Sequence, residues 1–560
     1  MAVTDTKVPY AMTETRSTLP KTQYAVQLVG PSELKLNRAK TVPQPRAHEI
    51  LAKIEAVGLC FSDLKLLKQF DAHARKSEVI GGLGRDVLSE IQSYVPGKTP
   101  AVPGHEAVIR IIAVGRKVTR HKVGERCLVQ TDYRELPTAS SNAAFGYNFE
   151  GALQQYVILD ERVVIDSTGQ RFLIPVSEQG SASAVALIEP WACVEDSYVN
   201  PERRTIKAGG GLLVVTAAGH TAQGVAESYS DEGEPADVTT LRDANSDELA
   251  ALPDEGFDDI VYFGADKQVI EILNDKLAPR GIMNVVLGGQ KISEPVNVGI
   301  GRVHYGMTRW VGTAGSDASV SYKTIPATGE IRPGEKIVVI GAGGPMGQMH
   351  VIRDVCSGVK NIEVVGTDFD DQRLRVIEQK AAPLAAANGA KLRIVNTQKT
   401  PLAERFSYFA LMAPVPALVA QAVKDASEGA LINIFAGIPA PTKQQIDLDA
   451  YIARRCFMFG TSGSVIEDMK IVLRKVESGR LDTNCSIDAI SGMAGAADGI
   501  AAVENRTLAG KIIVYPDLPE VGLIRLEELG EHYPTVAAKL RDGQWCLEAE
   551  QELLEVAASK

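Results

Sequence analysis

Short apolar runs separated by glycine- and proline-containing turns fill the chain from residue 22 to about residue 202. Runs of this length, bounded by turn residues, are typical of β-strands, and several in succession favour an all-β sheet or barrel. We therefore predict a partly open β-barrel domain over residues 22–202. A helix-like stretch between about residues 65 and 101 interrupts this pattern and is expected to be an insertion. The β-type runs are YAVQLV, EILAKIEAVGL, AVIRIIAVG, ERCLVQ and GALQQYVIL.

From residue 203 to about residue 480 the pattern changes to continuous apolar strands that alternate with helical stretches. This alternation predicts α/β units with parallel sheets. The pattern also occurs twice. IKAGGGLLVVTAAG at 206–219 resembles IRPGEKIVVIGAGG at 331–344, and WVGTAGS at 310–316 resembles MFGTSGS at 458–464. We interpret residues 203–325 and 326–480 as two copies of one domain.

The first copy is shorter than the second. The offset between matching segments grows from 125 residues at the start to 148 at the end. The missing residues, about 23, fall between Gly219 and Asp258, where the second strand of the unit should lie. We expect that strand to be absent from the first copy.

The end of the chain returns to other patterns. Residues 481–516 have β-type character again and are expected to complete the first domain. Residues 517–560 contain amphipathic helical stretches, which predict a C-terminal helical extension.

Composition excludes several classes of protein. The chain has 560 residues, 45% hydrophobic and 23% charged, and a net charge of −11, which argues against binding to nucleic acid. Its seven cysteines form no C-x-x-C pair, as expected in a reducing compartment. The N-terminus lacks the apolar core of a signal peptide, and no apolar run is long enough to span a bilayer. We therefore expect a cytoplasmic protein.

The second copy carries the features of a dinucleotide-binding, Rossmann-type unit. The strand KIVVI leads into a glycine-rich loop, a helix-compatible stretch and a second strand that ends at Asp368. Such a loop lets a pyrophosphate approach the backbone at a helix N-terminus, and the acid can bind a ribose hydroxyl and repel a 2′-phosphate. The acid therefore favours NAD over NADP as the cofactor. The alternative is that the glycine-rich loop binds no cofactor and serves only the packing of helix against sheet. The cofactor-binding candidates are Gly341, Gly343, Gly344, Pro345, Met346, Gly347, Asp368 and Arg373.

A cysteine and a His–Glu pair in the β domain suggest a metal site. Cys60 lies in GLCFSD, and His105 and Glu106 lie in PGHE. Thiolate, imidazole and carboxylate together suit a zinc ion with an open coordination position. Taken singly, Cys60 could equally be a core residue and His105 a turn residue. Glu189 stands in the apolar stretch ALIEPWAC, where a buried carboxylate needs a metal or an ion-pair partner.

In this order the motifs resemble the zinc-dependent medium-chain dehydrogenase/reductase family, over residues 22 to 516. KVGERCLV, FEGALQQYVIL and GAGGPMG also match that family, and LIEPWA resembles its polyol and sugar dehydrogenases. The resemblance implies a GroES-like catalytic domain and oxidation of a polyol, sugar or other secondary alcohol to a ketone, or the reverse. It also implies one catalytic zinc, with Cys60, His105 and Glu106 as ligands and Glu189 as fourth or exchangeable ligand. Ser62 would pass on the substrate proton, and a homo-oligomer, dimer or tetramer, is expected.

The chain departs from the family pattern in three ways. It has no cysteine between Cys127 and Gly151, where relatives carry a structural-zinc lobe. Lys65 stands where many relatives place a proton-relay histidine. The insertion and the extra α/β copy are not part of the usual plan.

Two alternatives remain open: a zinc-free reductase of the same fold, and a non-catalytic nucleotide-binding scaffold or sensor. The degenerate copy motivates the second, whereas the intact metal and loop motifs argue against both. In that copy Thr216 and Ala218 replace loop glycines, and their Cβ atoms hinder the approach of a pyrophosphate. We expect this copy to bind no dinucleotide and to act as a structural spacer. A second, regulatory nucleotide site is the alternative.

Overall fold

The structure, a computed structural model, describes residues 19–461 and 463–558. Residues 1–18, which include most of the N-terminal stretch that lacks a signal-peptide core, lie outside the described residues. So does position 462, in the MFGTSGS repeat.

The elements follow one another in four groups along the chain. The first group contains β1 (Thr22–Gly30), β2 (Glu33–Thr41), β3 (Glu49–Gly58), α1 (Phe61–Gln69), α2 (Arg85–Glu90), β4 (Glu106–Val114), β5 (Arg126–Val129), β6 (Asp132–Pro137), β7 (Asn142–Ala144), β8 (Tyr156–Asp160), β9 (Leu173–Pro175), α3 (Ala182–Ala186) and α4 (Ile188–Val199). The second contains β10 (Gly211–Thr216), β11 (Asp237–Arg242), α5 (Ser246–Ala250), β12 (Phe257–Phe263), α6 (Lys267–Lys276), β13 (Leu277–Val286), β14 (Val296–Val298), α7 (Ile300–Tyr305), β15 (Arg309–Thr313) and α8 (Ser319–Thr324).

The third group contains β16 (Lys336–Ile340), α9 (Pro345–Val355), β17 (Glu363–Asp368), α10 (Asp371–Asn388), β18 (Lys391–Asn396), β19 (Phe406–Leu411), α11 (Pro416–Asp425), β20 (Ala426–Ile434), β21 (Gln444–Ile446), α12 (Leu448–Ala453), β22 (Phe457–Phe459) and α13 (Ile466–Glu477). The fourth contains β23 (Ile487–Ser491), α14 (Ala496–Asn505), β24 (Lys511–Val514), β25 (Ile524–Arg525), α15 (Leu529–His532), α16 (Pro534–Ala537) and α17 (Leu547–Ala558).

The predicted GroES-like, partly open β-barrel is present. Its main sheet has the strand order β25-β23-β24-β3-β4-β5-β9, and β8 also pairs with β3. Strand β3 is buried at eight of its ten positions, so it lies inside the core of this unit. Strands β23 and β24 come from the end of the chain, so the last part of the sequence completes this unit.

The insertion after α1 is folded onto the β unit through a buried lysine. Two 3-10 turns, Phe70–Ala72 and Ala74–Lys76, precede α2. The ammonium of Lys76 donates to the carbonyls of Val95, Gly97 and Thr99, and burial lowers its pKa to about 8. These bonds satisfy the buried ammonium and tie the two ends of the insertion together.

The intact copy is a parallel sheet with the order β18-β17-β16-β19-β20-β22. The first copy has the order β11-β10-β12-β13-β15 and is therefore a shortened version of the same unit. The tandem Rossmann-type fold, with a degenerate first copy, is confirmed.

The prediction that the first copy lacks its second strand was wrong. Strand β11 pairs in parallel with β10, as β17 pairs with β16 in the intact copy. Residues 217–236, all of them described, contain a single 3-10 turn and no α-helix, so the chain has lost the helix after the first strand instead. In the pairing of β10 with β11, Arg242 lies opposite Thr216. In the intact copy, Asp368 holds the equivalent position, one residue beyond the last pair of β16 with β17. The acid therefore has a counterpart, but one of opposite charge.

The two copies face each other about a pseudo-two-fold axis. Strand β14 pairs antiparallel with β21, with Asn297 opposite Gln445. These two residues are 148 residues apart, the same offset that separates the repeated motifs, so each copy contributes the equivalent segment. Strands β15 and β22 lie side by side, and the Tyr451 hydroxyl donates to the Trp310 carbonyl at 2.8 Å. One apolar core contains residues of both sheets.

The C-terminal extension is docked on the first unit. Glu550 of α17 accepts hydrogen bonds from the backbone of Ala182 (2.6 Å) and Ser183 (2.9 Å) and from the Tyr515 hydroxyl (2.8 Å). It thereby satisfies free amides at the start of α3. Among the described residues, no helix is both long enough and apolar enough to cross a membrane.

Candidate metal and cofactor site

Cys60 is held at the start of α1 by the acid three residues further on. It is the N-cap residue, and its backbone N–H donates to Asp63 Oδ2 at 3.0 Å. An acid in the first turn also interacts favourably with the helix dipole. The thiol is thereby fixed between the end of β3 and the first turn of α1.

The same carboxylate orients His105. Asp63 Oδ1 lies 3.2 Å from His105 Nδ1 and accepts from the Gly104 backbone at 3.1 Å. Burial alone would lower the pKa of His105, but the Asp63 charge outweighs it and the net pKa is raised well above its usual range. His105 in turn keeps the pKa of buried Asp63 below its usual range. With Nδ1 directed at Asp63, Nε2 is left as the ligand atom.

Glu106 lies at the start of β4, directly opposite Gly58 on β3. A Cβ atom at position 58 would come within 2.1 Å of Glu106 Oε2, so only glycine leaves room for this carboxylate. Glu106 Oε1 accepts from Lys511 Nζ of β24 at 2.6 Å, whereas buried Oε2 has no hydrogen-bond partner among the described residues. An orphaned carboxylate oxygen at this position fits a metal ion.

The structure brings the three predicted ligands together. One sulfur, one nitrogen and one oxygen from Cys60, His105 and Glu106 all lie within 4.8 Å of one another. This donor set is the one that zinc prefers, and three protein ligands leave a position for substrate. The residues therefore fit a catalytic zinc ion.

Glu189 lies beside this cluster but outside it. It is in the first turn of α4, partly buried, and burial raises its pKa to about 7, with Glu106 and Asp132 as further causes. Its carboxylate does not belong to the group of ligand atoms within 4.8 Å. Its assignment as a fourth or exchangeable ligand stays a prediction.

Ser62 and Cys193 border the same cleft. Both are partly exposed among buried neighbours, as are Cys60 and Glu189. Cys193 follows Glu189 by one helical turn, so both side chains lie on one face of α4. Its pKa is raised well above the usual range by burial and by the Glu189 charge.

The glycine loop of the intact copy has the backbone that the sequence predicts. Gly341 has a φ of +90°, which favours glycine, and a Cβ atom at Gly347 would lie 2.1 Å from the Gly341 carbonyl oxygen. Gly344 is the N-cap of α9 and Pro345 its first residue, so the loop leads directly into a helix N-terminus. Met346, in the first turn, is partly buried.

Asp368 and Arg373 border this loop. Asp368 ends β17, and its Oδ2 accepts from the Gly343 backbone at 3.0 Å. A Cβ atom at Gly343 would come within 2.8 Å of both Asp368 Oδ2 and the Arg373 Cβ. Arg373 also donates to the Arg506 carbonyl at 2.6 Å, which joins α10 to the end of α14. The loop, the acid and the arginine therefore lie next to one another.

The two parts of the site face a common cleft. The segment after β22 reaches the β unit, where Arg134 donates to the Ser464 carbonyl at 2.9 Å, and Cys193 lies near the Ser464 side chain. Ligands of open α/β sheets bind at the carboxyl ends of the strands. Here the segment that follows the carboxyl end of β22 lies beside Cys193, whose pKa is raised by burial and also by the charges of Glu189 and Cys60.

Comparisons with known proteins agree with this architecture. Residues 46–168, which include the three metal-ligand candidates, match the family model for the alcohol dehydrogenase GroES-like domain. L-Sorbose 1-phosphate reductase of Klebsiella pneumoniae is 28% identical over 53% of this chain and 76% of its own. Mannitol-1-phosphate 5-dehydrogenase of Aliivibrio fischeri is 24% identical over 59% of this chain and 82% of its own.

The crystal structure of 2R,3R-butanediol dehydrogenase from Bacillus subtilis supports the fold. It superposes with a TM-score of 0.51 at 13% identity, over 88% of this chain and 100% of that one. Residues 46–168 therefore form an alcohol dehydrogenase GroES-like domain. The chain is similar to alcohol and polyol dehydrogenases of the medium-chain dehydrogenase/reductase type, and it is an oxidoreductase.

This oxidoreductase also contains site residues that the sequence did not single out. Asp63 was visible in GLCFSD, but its bond to His105 depends on folding across 42 residues. Lys511 lies 405 residues from Glu106 and meets it only because β24 pairs with β3. An isolated lysine at the start of an apolar strand, KIIV, was the one available signal. Arg75, beside Asp132, is supplied by the insertion and had no signal.

Proposed function

We propose that this protein catalyses the NAD-linked oxidation of a secondary alcohol to a ketone, or the reverse reduction, at a zinc site. The substrate is a polyol, a sugar or a sugar derivative. The observation that carries the proposal is the convergence of Cys60, His105 and Glu106 into one cluster, in a chain whose intact copy carries the glycine loop. Two relatives are named for reactions of phosphorylated sugars or sugar alcohols, which supports this substrate class.

Zinc, when bound by Cys60, His105 and Glu106, would supply a Lewis acid that polarises an alcohol oxygen and lowers the pKa of the hydroxyl. The other residues of the site orient the ligand side chains. Asp63 holds His105 in the tautomer with Nε2 free, and Lys511 holds one oxygen of Glu106 so that the other is left for the metal.

Ser62 is the group that we assign to proton movement. It lies in the first turn of α1, two residues after Cys60, and is partly exposed at the cleft. A hydroxyl can accept a proton and donate another at once, so it can carry the substrate proton toward solvent.

NAD, when bound, would accept or deliver the hydride. The bare backbone at Gly341, Gly343 and Gly347 gives its pyrophosphate access to the N-terminus of α9. Asp368 at the end of β17 can accept from a ribose hydroxyl. A 2′-phosphate there would meet a like charge, so NAD is preferred over NADP.

The test is reduction of NAD and of NADP by a panel of polyols, aldoses, ketoses and their phosphate esters. We expect at least one polyol or sugar derivative to reduce NAD, with a much lower kcat/KM for NADP. The Asp368→Ala variant should narrow the gap between the cofactors, whereas Asp371→Asn, an exposed acid three residues away, should not. Absence of nicotinamide reduction with every member of the panel, in metal-replete protein, would refute the proposal.

A further inference from the structure

The insertion supplies charged side chains to the site that the proposed hydride transfer does not need. Arg75 lies in the second 3-10 turn, and His73 directly precedes that turn. Lys65 lies nearby on α1, because its charge contributes to lowering the pKa of His73. None of the three is a ligand candidate or part of the glycine loop.

One aromatic ring connects these side chains to the metal cluster. The Tyr147 ring centre lies 5.8 Å from that of His105 and 5.2 Å from that of His73. The Arg75 guanidinium carbon lies 5.7 Å from the same ring centre, and the Glu189 carboxylate is close enough for its charge to act on Arg75. Cations and candidate metal ligands thus surround one side chain of the cleft.

One cation of this region has no ion-pair partner among the described side chains. Arg75 pairs with Asp132, and Arg134 lies 3.9 Å from the same carboxylate. Within the described part of the chain, Lys65 makes no ion pair. Arg75 and Arg134 thus share one acid, and the Lys65 ammonium is left without an ion-pair partner among the residues that the structure describes. An exposed, unpaired ammonium close to a guanidinium attracts an anion.

The donors of these groups are also available. Arg75 donates from Nη1 and Nη2 to Asp132, and no described residue accepts a hydrogen bond from Arg75 Nε. His73 Nδ1 accepts from the Arg75 backbone at 3.2 Å, so the neutral ring carries its proton on Nε2. Burial and the neighbouring cations lower the pKa of His73 to about 4, which keeps the ring neutral near pH 7. The exposed ammonium of Lys65 adds three further donors.

We infer that Lys65, His73 and Arg75 bind a phosphate ester group of the substrate while the reacting hydroxyl or carbonyl lies at the metal cluster. The inference rests on the proposed function and narrows its substrate class to sugar or polyol phosphates. Arginine and lysine are the usual partners of phosphate in proteins, and each charge-assisted bond adds affinity as well as orientation. The insertion is then the specificity element of the enzyme.

The test compares each phosphate ester with its unphosphorylated parent: D-mannitol 1-phosphate with D-mannitol, and L-sorbose 1-phosphate with L-sorbose. We expect kcat/KM for an ester to exceed that of its parent by about 100-fold, as two or more charge-assisted bonds predict. Inorganic phosphate should inhibit competitively against the ester. Equal kcat/KM for ester and parent, or no inhibition by phosphate, would overturn the inference.

Two variants locate the effect. Lys65→Gln should lower the ester-to-parent ratio of kcat/KM about tenfold, and Lys68→Gln, on the same helix but paired with Glu504, should leave the ratio unchanged. Because Arg75→Gln alone leaves Asp132 without its partner, Arg75→Gln/Asp132→Asn is the second variant, and it should lower the ratio more. Equal loss on ester and parent in both variants would also overturn the inference. Failure of the proposed function itself would appear differently, as no activity on any substrate.

Discussion

Asp63 determines how two metal-ligand candidates are presented, although it is not a ligand. It accepts from the Cys60 backbone, from the Gly104 backbone and from His105 Nδ1. A carboxylate that accepts a hydrogen bond from a ligating imidazole fixes the orientation and the basicity of that ring. Replacing this carboxylate should therefore weaken the metal site without removing any ligand atom.

We predict that Asp63→Asn lowers zinc affinity about 10- to 100-fold, the usual effect of losing such a partner. The affinity is measured by competition with a chelator. Asp71→Asn, an acid in the insertion that makes no contact with His105, is the control and should bind zinc like the parent. Unchanged zinc affinity in the Asp63→Asn variant would show that the carboxylate does not support the metal site.

Asp354 on α9 predicts a dependence of stability on pH. It is fully buried, its Oδ1 lies 4.0 Å from Arg353 Nη1, and burial outweighs this cation and raises its pKa to about 8. An unfolded aspartate ionises near pH 4. Between these values the folded state keeps a proton that the unfolded state has lost. This group therefore makes the protein less stable as the pH rises from about 4 to about 8.

The Asp354→Asn variant removes this cost. We expect its melting temperature to exceed that of the parent at about pH 9, with a much smaller difference at about pH 5. Asp498→Asn, an exposed acid on α14, is the control and should show no such trend. A difference between Asp354→Asn and the parent that does not grow with pH would contradict the assignment.

At the scale of residues, the sequence predicted those site residues that lie in contiguous motifs. Cys60 and the His105–Glu106 pair stand in short segments whose chemistry is visible without a fold. Asp63 and Lys511 matter only through tertiary contacts, so no local pattern identifies them. The position of Glu189 outside the tight cluster depends on the placement of α4, which the sequence also leaves open.

At the scale of elements, the repeat revealed the duplication but not which element was lost. The shortening between Gly219 and Asp258 was assigned to a strand, whereas the structure retains β11 and lacks the helix before it. A strand at the sheet edge preserves the burial of β10, while a surface helix can be lost at smaller cost. For dinucleotide binding the helix is the more damaging loss, because its N-terminus receives the pyrophosphate.

We therefore predict one NAD site per chain. Titration calorimetry should give a stoichiometry of one, and Gly343→Asp, which places a carboxylate beside Asp368, should abolish binding. Ala218→Asp is the matched substitution in the degenerate copy and should leave both stoichiometry and affinity unchanged. A second equivalent of NAD that survives Gly343→Asp would favour a regulatory site in the first copy.

At the scale of the whole molecule, the degenerate copy occupies the position of a symmetry partner. The pairing of β14 with β21 and the contact of β15 with β22 are isologous, like the interface of a two-fold dimer. The sheet edge of the intact copy is therefore already covered within one chain. If the first copy is a structural spacer, as the sequence predicts, it fills the space beside this edge.

This internal pairing changes the expectation of a homo-oligomer. We predict that light scattering coupled to size-exclusion chromatography gives the mass of one chain, 60.0 kDa. The buried hydrogen bond between Tyr451 and Trp310 joins the two copies within one chain, as a contact between subunits would in a dimer. A mass of two or four chains would show that another surface mediates assembly.

The central claim is that Cys60, His105 and Glu106 hold the zinc ion on which NAD-linked alcohol oxidation depends. The most direct measurement is zinc content together with NAD reduction for the parent, for Cys60→Ser and for Cys356→Ser, a cysteine at the end of α9 outside the cluster. We predict one zinc per chain and full activity in the parent and in Cys356→Ser, and loss of both in Cys60→Ser. Full zinc content in Cys60→Ser, or full activity of the parent without zinc, would contradict the claim.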